Sequence, residues 1–237
     1  MKYPLQFSNN FSVYICGVIT SIIQDTKIII LDFDGTLGNT AGVIIKTMQA
    51  TIKELGLPAR TDEQCAAMIG LRLIEIPPVL FPECDLECDL YAQTYRRLFH
   101  VYNTDGAVEL YPNVLDTLHE LRRRGIVLTI ASSRSNASLT EYIRNLDLTD
   151  TVSYILGADD VIEGKPNPEA VNRTLSEFGF KPQEAIVVGD TIFDIQMGAN
   201  AGTRTCGVTY GNGSRESLSD ATWIIDDFSE LLNFIEN

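Results

Sequence analysis

"KIIILDFDGTLGNT", residues Lys27 to Thr40, carries four apolar residues straight into two aspartates, Asp32 and Asp34, that flank one phenylalanine. An unbroken apolar run of this kind predicts a strand buried on both faces, as in a parallel sheet, rather than a half-exposed strand with alternating polarity. Two carboxylates at the end of such a strand repel each other, so the placement calls for a cation between them.

Three later stretches have the same character. "GIVLTIASS" (Gly125 to Ser133), "AIVVGD" (Ala185 to Asp190) and "TRTCGV" (Thr203 to Val208) are short, rich in β-branched residues and followed by polar or glycine-containing turns. Helical patterns lie between them. "NVLDTLHELRRRG" predicts a helix capped by Asn113, with Leu115, Leu118 and Leu121 on one face and Gly125 as its stop. "NPEAVNRTLSEFG" repeats that pattern, with Asn167 as cap, Pro168 at the first helical position and Gly179 as terminator. Alternating strands and helices predict an α/β fold with an open parallel sheet, whose ligands gather at the carboxyl ends of the strands. From Asn39 to about Val108 the alternation stops. Only helical stretches such as "AGVIIKTMQATIKELG" and "LECDLYAQTYRRLFHVY" occur there, interrupted by "IPPVLFPEC", whose paired prolines cannot continue a helix. This predicts an all-helical insertion large enough to act as a lid.

Composition limits the partners. The chain has 237 residues, 45% hydrophobic and 21% charged, with a formal charge of −14. That charge argues against nucleic acid or an acidic membrane, and it admits a small anionic substrate only where local cations reverse the field. Five scattered cysteines, an odd number, do not make a disulfide framework and are consistent with a reducing, cytoplasmic setting. Cys84 and Cys88 lack a second Cys/His pair and read as ordinary helix positions rather than half a metal site. The run Phe11 to Ile23 has signal-peptide length but no Ala-x-Ala site, and it is too short to span a bilayer. Residues 1–26 therefore read as a leader whose order and role the sequence leaves open. Monomer and homodimer remain equal expectations.

The polar residues at the strand ends carry the chemistry. They are Asp32 and Asp34, then Ser132, Ser133 and Arg134, then Asp190 and, four residues on, Asp194. Lys165 joins them from "EGKPNPE", just ahead of a helix start. Carboxylates without histidine or cysteine form an all-oxygen donor set suited to a hard cation such as Mg²⁺. A lysine and hydroxyl or amide donors beside it complete a phosphoryl-binding constellation. "EGKP" itself is no P-loop, because the G-x-x-x-x-G-K spacing fails.

This constellation resembles the haloacid dehalogenase (HAD) superfamily. "DFDGTL", Ser132 at the end of "VLTIAS", Lys165 in "GKPNPE", and Asp190 with Asp194 in "GDTIFDIQMGANAG" resemble its four motifs, in family order, from about Lys27 to the C-terminus. The resemblance implies a HAD-like α/β core over residues 27–38 and 109–237. It also implies a helical C1 cap over 39–108, as in the phosphoglycolate phosphatase and β-phosphoglucomutase branch. It implies that Asp32 is the nucleophile forming an aspartyl-phosphate and that Asp34 is the general acid and base. Ser132 and Lys165 would hold phosphoryl oxygens, and Gly35 would let the chain turn beside the phosphate. Mg²⁺ would bind Asp32, the Asp34 backbone carbonyl, Asp190 and, directly or one layer out, Asp194. Ser133, Arg134 and Arg72 are candidate substrate contacts.

Plainer readings stand beside these. Ser132 could merely end a strand, Asp194 could be a helix N-terminal acid, and Arg134 and Arg72 could be ordinary exposed arginines. Asp34 argues against dehalogenase and phosphonoacetaldehyde hydrolase activity, since those relatives lack the second aspartate. Ile44, near the place where β-phosphoglucomutases carry a histidine, disfavours a mutase. Asn39-Thr40, where many relatives have an acid followed by serine, leaves substrate choice open. The expectation is a Mg²⁺-dependent phosphatase acting on a small phosphorylated metabolite, phosphoglycolate-phosphatase-like. A pyrophosphatase, a β-phosphoglucomutase-type phosphotransferase and a catalytically idle HAD-like binding protein are the alternatives.

Overall fold

The computed structural model describes residues 26–104 and 106–235, so the apolar leader lies outside the described residues except for Thr26. Six strands, β1 (Ile28–Leu31), β2 (Val127–Ala131), β3 (Tyr154–Leu156), β4 (Ala185–Gly189), β5 (Arg204–Val208) and β6 (Trp223–Ile225), form one sheet in the order β3-β2-β1-β4-β5-β6. Every neighbouring pair is parallel. The uninterrupted apolar strands are explained by helices on both faces. Ile29 and Leu31 of β1 face one cluster with Leu118 and Leu121 of helix α5 (Val114–Arg123) and Leu139 of α6 (Asn136–Asn145). Ile28 and Ile30 face another, with Val171 and Leu175 of α7 (Glu169–Phe178) and Met197 of α8 (Ile192–Asn200). All four β1 side chains are fully buried, each contributing about 1.5–3 kcal/mol.

Between β1 and α5 the described residues form no strand, only α1 (Ala41–Glu54), α2 (Asp62–Ala66), α3 (Ile76–Leu80) and α4 (Cys88–Tyr102). The chain leaves and returns side by side, Asn39 N donating to Glu109 O at 2.9 Å and Tyr111 N to Leu37 O at 2.9 Å. Val43, Ile44 and Met48 of α1 pack in one cluster with Tyr91, Tyr95 and Phe99 of α4.

Four local expectations are corrected. Pro77 and Pro78 do not simply break the chain; they occupy the first turn of α3, where the missing N–H costs nothing. Asn113 is in the left-handed region (φ 63°) and makes no cap bond; its side chain donates to Asp227 instead. Leu115 is 36% exposed, and the buried face of α5 runs through Val114, Leu118 and Leu121. At α7 the cap shifts by one residue, Pro168 standing at the N-cap and Asn167 one place before it, where its Oδ1 still accepts from Glu169 N at 3.0 Å; Gly179 ends that helix at φ 69° as expected.

Candidate active site

Leu31, the last residue of β1, pairs in register with Ile130 of β2 and Val188 of β4. Asp32 therefore emerges level with Ala131 and Gly189, and Ser132 and Asp190 one residue farther along, so all three leave adjacent strand ends within one residue of the same level. Lys165 reaches the same point from the loop before α7. Its Nζ donates to Asp32 Oδ1 and to Asp194 Oδ1, both at 2.6 Å. Glu169 steadies that loop by accepting the backbone N–H groups of Ile162 and Glu163. Asp194 serves as both helix acid and site carboxylate. Its Oδ2 accepts from Thr191 N (3.0 Å) and Thr191 Oγ1 (2.6 Å) at the start of α8, which leaves Oδ1 for the lysine.

Asp190 is held just as tightly. Oδ1 accepts from Thr36 Oγ1 at 3.2 Å, and Oδ2 accepts from Asn212 N (2.7 Å) and Asn212 Nδ2 (2.9 Å). Gly35 makes this possible. At φ 88° it turns beneath the carboxylate, and a Cβ there would lie 2.2 Å from Asp190 Oδ2.

Oxygens of Asp32, Asp190 and Asp194, all buried, lie within 4.8 Å of one another. Burial pushes the Asp32 carboxyl well up, opposed by Lys165 and reinforced by Asp194 and Asp190. Burial, then Asp194, raises Asp190, with the Asn212 hydrogen bonds opposing. Burial alone would lower Lys165, but Asp194 and Asp32 outweigh it and hold the ammonium above the usual lysine range. One lysine thus faces three buried carboxylates, and the oxygen donor set fits a hard divalent cation as the missing positive charge.

Asp34, the second aspartate of the opening motif, points elsewhere. Both its oxygens accept from Arg134, with Nη2 at 2.7 Å and Nε at 3.1 and 3.2 Å. The Arg134 guanidinium lies 4.8 Å over the ring of Phe99 and 5.1 Å over that of Tyr142, a sandwich that suits its delocalised charge. Burial works against that charge, and the Asp34 carboxylate more than restores it.

Ser132 is buried at the end of β2, its hydroxyl 3.4 Å from Arg134 N. Ser133 Oγ donates to Gly70 O at 2.6 Å, and Arg72, paired with Glu75, donates to Ile162 O at 2.9 Å. These two candidate contacts tie the helical segment to the strand-end loops. Asp32, Asp34, Arg72, Ser132, Ser133 and Arg134 all line a cavity of about 490 Å³ between them. Gly35, Asp190 and Asp194 are not among its lining residues, and Lys165 lines a smaller recess beside it, shared with Arg72, Ser132 and Ser133.

Sequence reasoning missed Asn212, Thr36 and Thr191 as partners of the carboxylates. The signal for Asn212 was present, since "GNG" follows the carboxyl end of β5, where a loop reaches the site. The Phe99 and Tyr142 sandwich left no local trace, because its rings come from two different helices.

The sequence matches the Haloacid dehalogenase-like hydrolase family over residues 29–208. It is 30% identical over 223 residues to a phosphoglycolate phosphatase of Photorhabdus laumondii subsp. laumondii, covering 91% of this chain and 95% of that one. It is 31% identical over 209 residues to the pyrophosphatase PpaX of Anoxybacillus flavithermus, covering 87% and 95%. A haloacid dehalogenase-like hydrolase structure from Bacteroides fragilis superposes with a TM-score of 0.82 at 26% identity, over 87% of this chain and 99% of that one. A predicted phosphoglycolate phosphatase structure from Haemophilus somnus gives 0.78 at 25%, over 89% and 98%.

Proposed function

The chain belongs to the haloacid dehalogenase-like hydrolase family, and from that premise we propose that it is a Mg²⁺-dependent phosphatase of the phosphoglycolate-phosphatase-like branch, acting on a small phosphate monoester. One observation carries the reading. Lys165 bridges Asp32 and Asp194 at 2.6 Å each, beside Asp190, at the ends of neighbouring strands and next to an open cavity that the helical segment partly covers.

In this reading Asp32 attacks phosphorus, forming an aspartyl-phosphate as the bond to the alcohol oxygen breaks. Asp34 gives that oxygen its proton and then takes one from the water that cleaves the acyl phosphate. Arg134 occupies both Asp34 oxygens in the arrangement seen, so Asp34 reaches the leaving oxygen only when that fork lets go. Lys165 and Ser132 orient the phosphoryl oxygens. Asp32, Asp190, Asp194 and the Asp34 backbone carbonyl would hold Mg²⁺, which supplies positive charge to the phosphoryl group. Residues 39–108 act as a C1-type cap on the core of 27–38 and 109–237, excluding water through the Ser133–Gly70 and Arg72–Ile162 contacts.

Phosphate release from an aryl phosphate, with and without Mg²⁺, tests this in wild type and Asp32→Asn. Metal-dependent turnover that falls by about 10³-fold or more in the variant is expected. Comparable release by Asp32→Asn would refute the nucleophile assignment.

A further inference from the structure

We infer that the alcohol part of the substrate is an apolar group longer than two carbons, seated in the cavity beneath the helical segment; the inference rests on the phosphatase reading and names its substrate class. The cavity of about 490 Å³ falls within the range of about 300–1,000 Å³ usual for sites that take a whole small molecule. A phosphoryl group over Asp32 and a two-carbon acid would leave a large part of that space unfilled.

The wall decides what fills it. Its buried and half-buried lining includes Ile44 and Met48 of α1, Met68 and Ile69, and Tyr95 and Phe99 of α4. Away from the phosphoryl end the ionisable lining side chains are Arg96, His100, Glu141 and Asp159, all at exposed positions that mark the mouth. Inside, Arg72 is taken by Glu75 and the Ile162 carbonyl, and Arg134, held by Asp34 at rest, comes free only beside the leaving oxygen at the phosphoryl end. Farther along the wall a charged group on the substrate would lose its water against apolar side chains with no free cation beside it, which is unfavourable. A hydrocarbon or aryl group gains from the same wall.

The test is a series of n-alkyl phosphates from ethyl to hexyl, with 2-phosphoglycolate alongside, followed by phosphate release in Mg²⁺. Titration calorimetry of the matching n-alkylphosphonates reads binding without turnover. kcat/KM and phosphonate affinity are expected to rise about threefold to fourfold for each covered methylene, with 2-phosphoglycolate slower than butyl phosphate. Leu73→Asp, at a half-buried lining position, is expected to flatten both rises. A flat series with 2-phosphoglycolate fastest would overturn the apolar assignment and leave the phosphatase reading intact. Phosphonate binding that strengthens with chain length, with no ester hydrolysed, would overturn the phosphatase reading and support the cavity assignment. No chain-length dependence in either measurement would overturn the assignment outright.

Discussion

Replacing Lys165 by methionine keeps most of the apolar stem and removes the ammonium set between two buried carboxylates. The lysine, Asp32 and Asp194 side chains are 4%, 4% and 1% exposed, so water cannot take over the lost charge. Removing one partner of a buried ion pair costs about 3–5 kcal/mol, and here two acceptors lose the same donor. The cost must grow with pH. Asp32 and Asp190 are already raised by burial, so at about pH 5 the folded protein can neutralise part of the cluster by binding protons, whereas at about pH 8 it cannot do so cheaply. Urea unfolding of the metal-free proteins at both pH values gives the two differences. The expected result is a loss of about 3–5 kcal/mol near pH 8, a clearly smaller one near pH 5, and partial recovery with a divalent cation. A loss below about 1 kcal/mol at both pH values, or one equal at both, would refute the electrostatic account.

Gly35→Ala tests the close approach beneath Asp190. The new Cβ would lie 2.2 Å from Asp190 Oδ2 and 2.3 Å from Asn212 Nδ2 at φ 88°. Strain and overpacking together give a loss of about 2–5 kcal/mol by denaturation, with weakened divalent-cation binding by calorimetry; unchanged affinity would sink the argument. In the unmodified, metal-free protein the raised Asp32 and Asp190 bind protons that the unfolded chain has released. Their stabilising contribution is complete below the ordinary aspartate value and is lost as pH rises through their raised values. Stability should fall by more than about 1.4 kcal/mol between about pH 5 and pH 8, and a divalent cation should suppress the fall; stability that rises over that interval would contradict the assignment.

Much of this arrangement was legible before any coordinates. Runs such as "KIIILD" and "AIVVGD" identify β1 and β4 because a strand covered on both faces has no room for polar alternation, and their terminal aspartates follow. β3 and β6 escaped because three-residue strands, Tyr154–Leu156 and Trp223–Ile225, are too short for any period to register. They lie at the two edges of the sheet, each against a single neighbour. Arg134 was legible only as a residue near the site. That it would lie against two rings and be forked onto Asp34 depends on Phe99 of α4 and Tyr142 of α6 both reaching it, which no local pattern encodes. Asn113 shows the opposite failure, since a good cap residue was drawn into a left-handed turn by its tertiary partner Asp227.

The central position of β1 has a consequence for how the chain is made. Its neighbours in the sheet are β2 and β4, and no earlier segment among the described residues pairs with it. Lys27, at its threshold, meets its partner Glu184 only 157 residues later. At about 5–20 residues per second, roughly 8–30 s of synthesis separate the two. Through that interval a fully apolar strand waits while the whole helical segment emerges beside it. Pairings this distant in sequence also slow folding after release. Nascent chains stalled before Ala185 would therefore present Ile28–Leu31 with one edge open, as a natural target for holding chaperones and for misassembly.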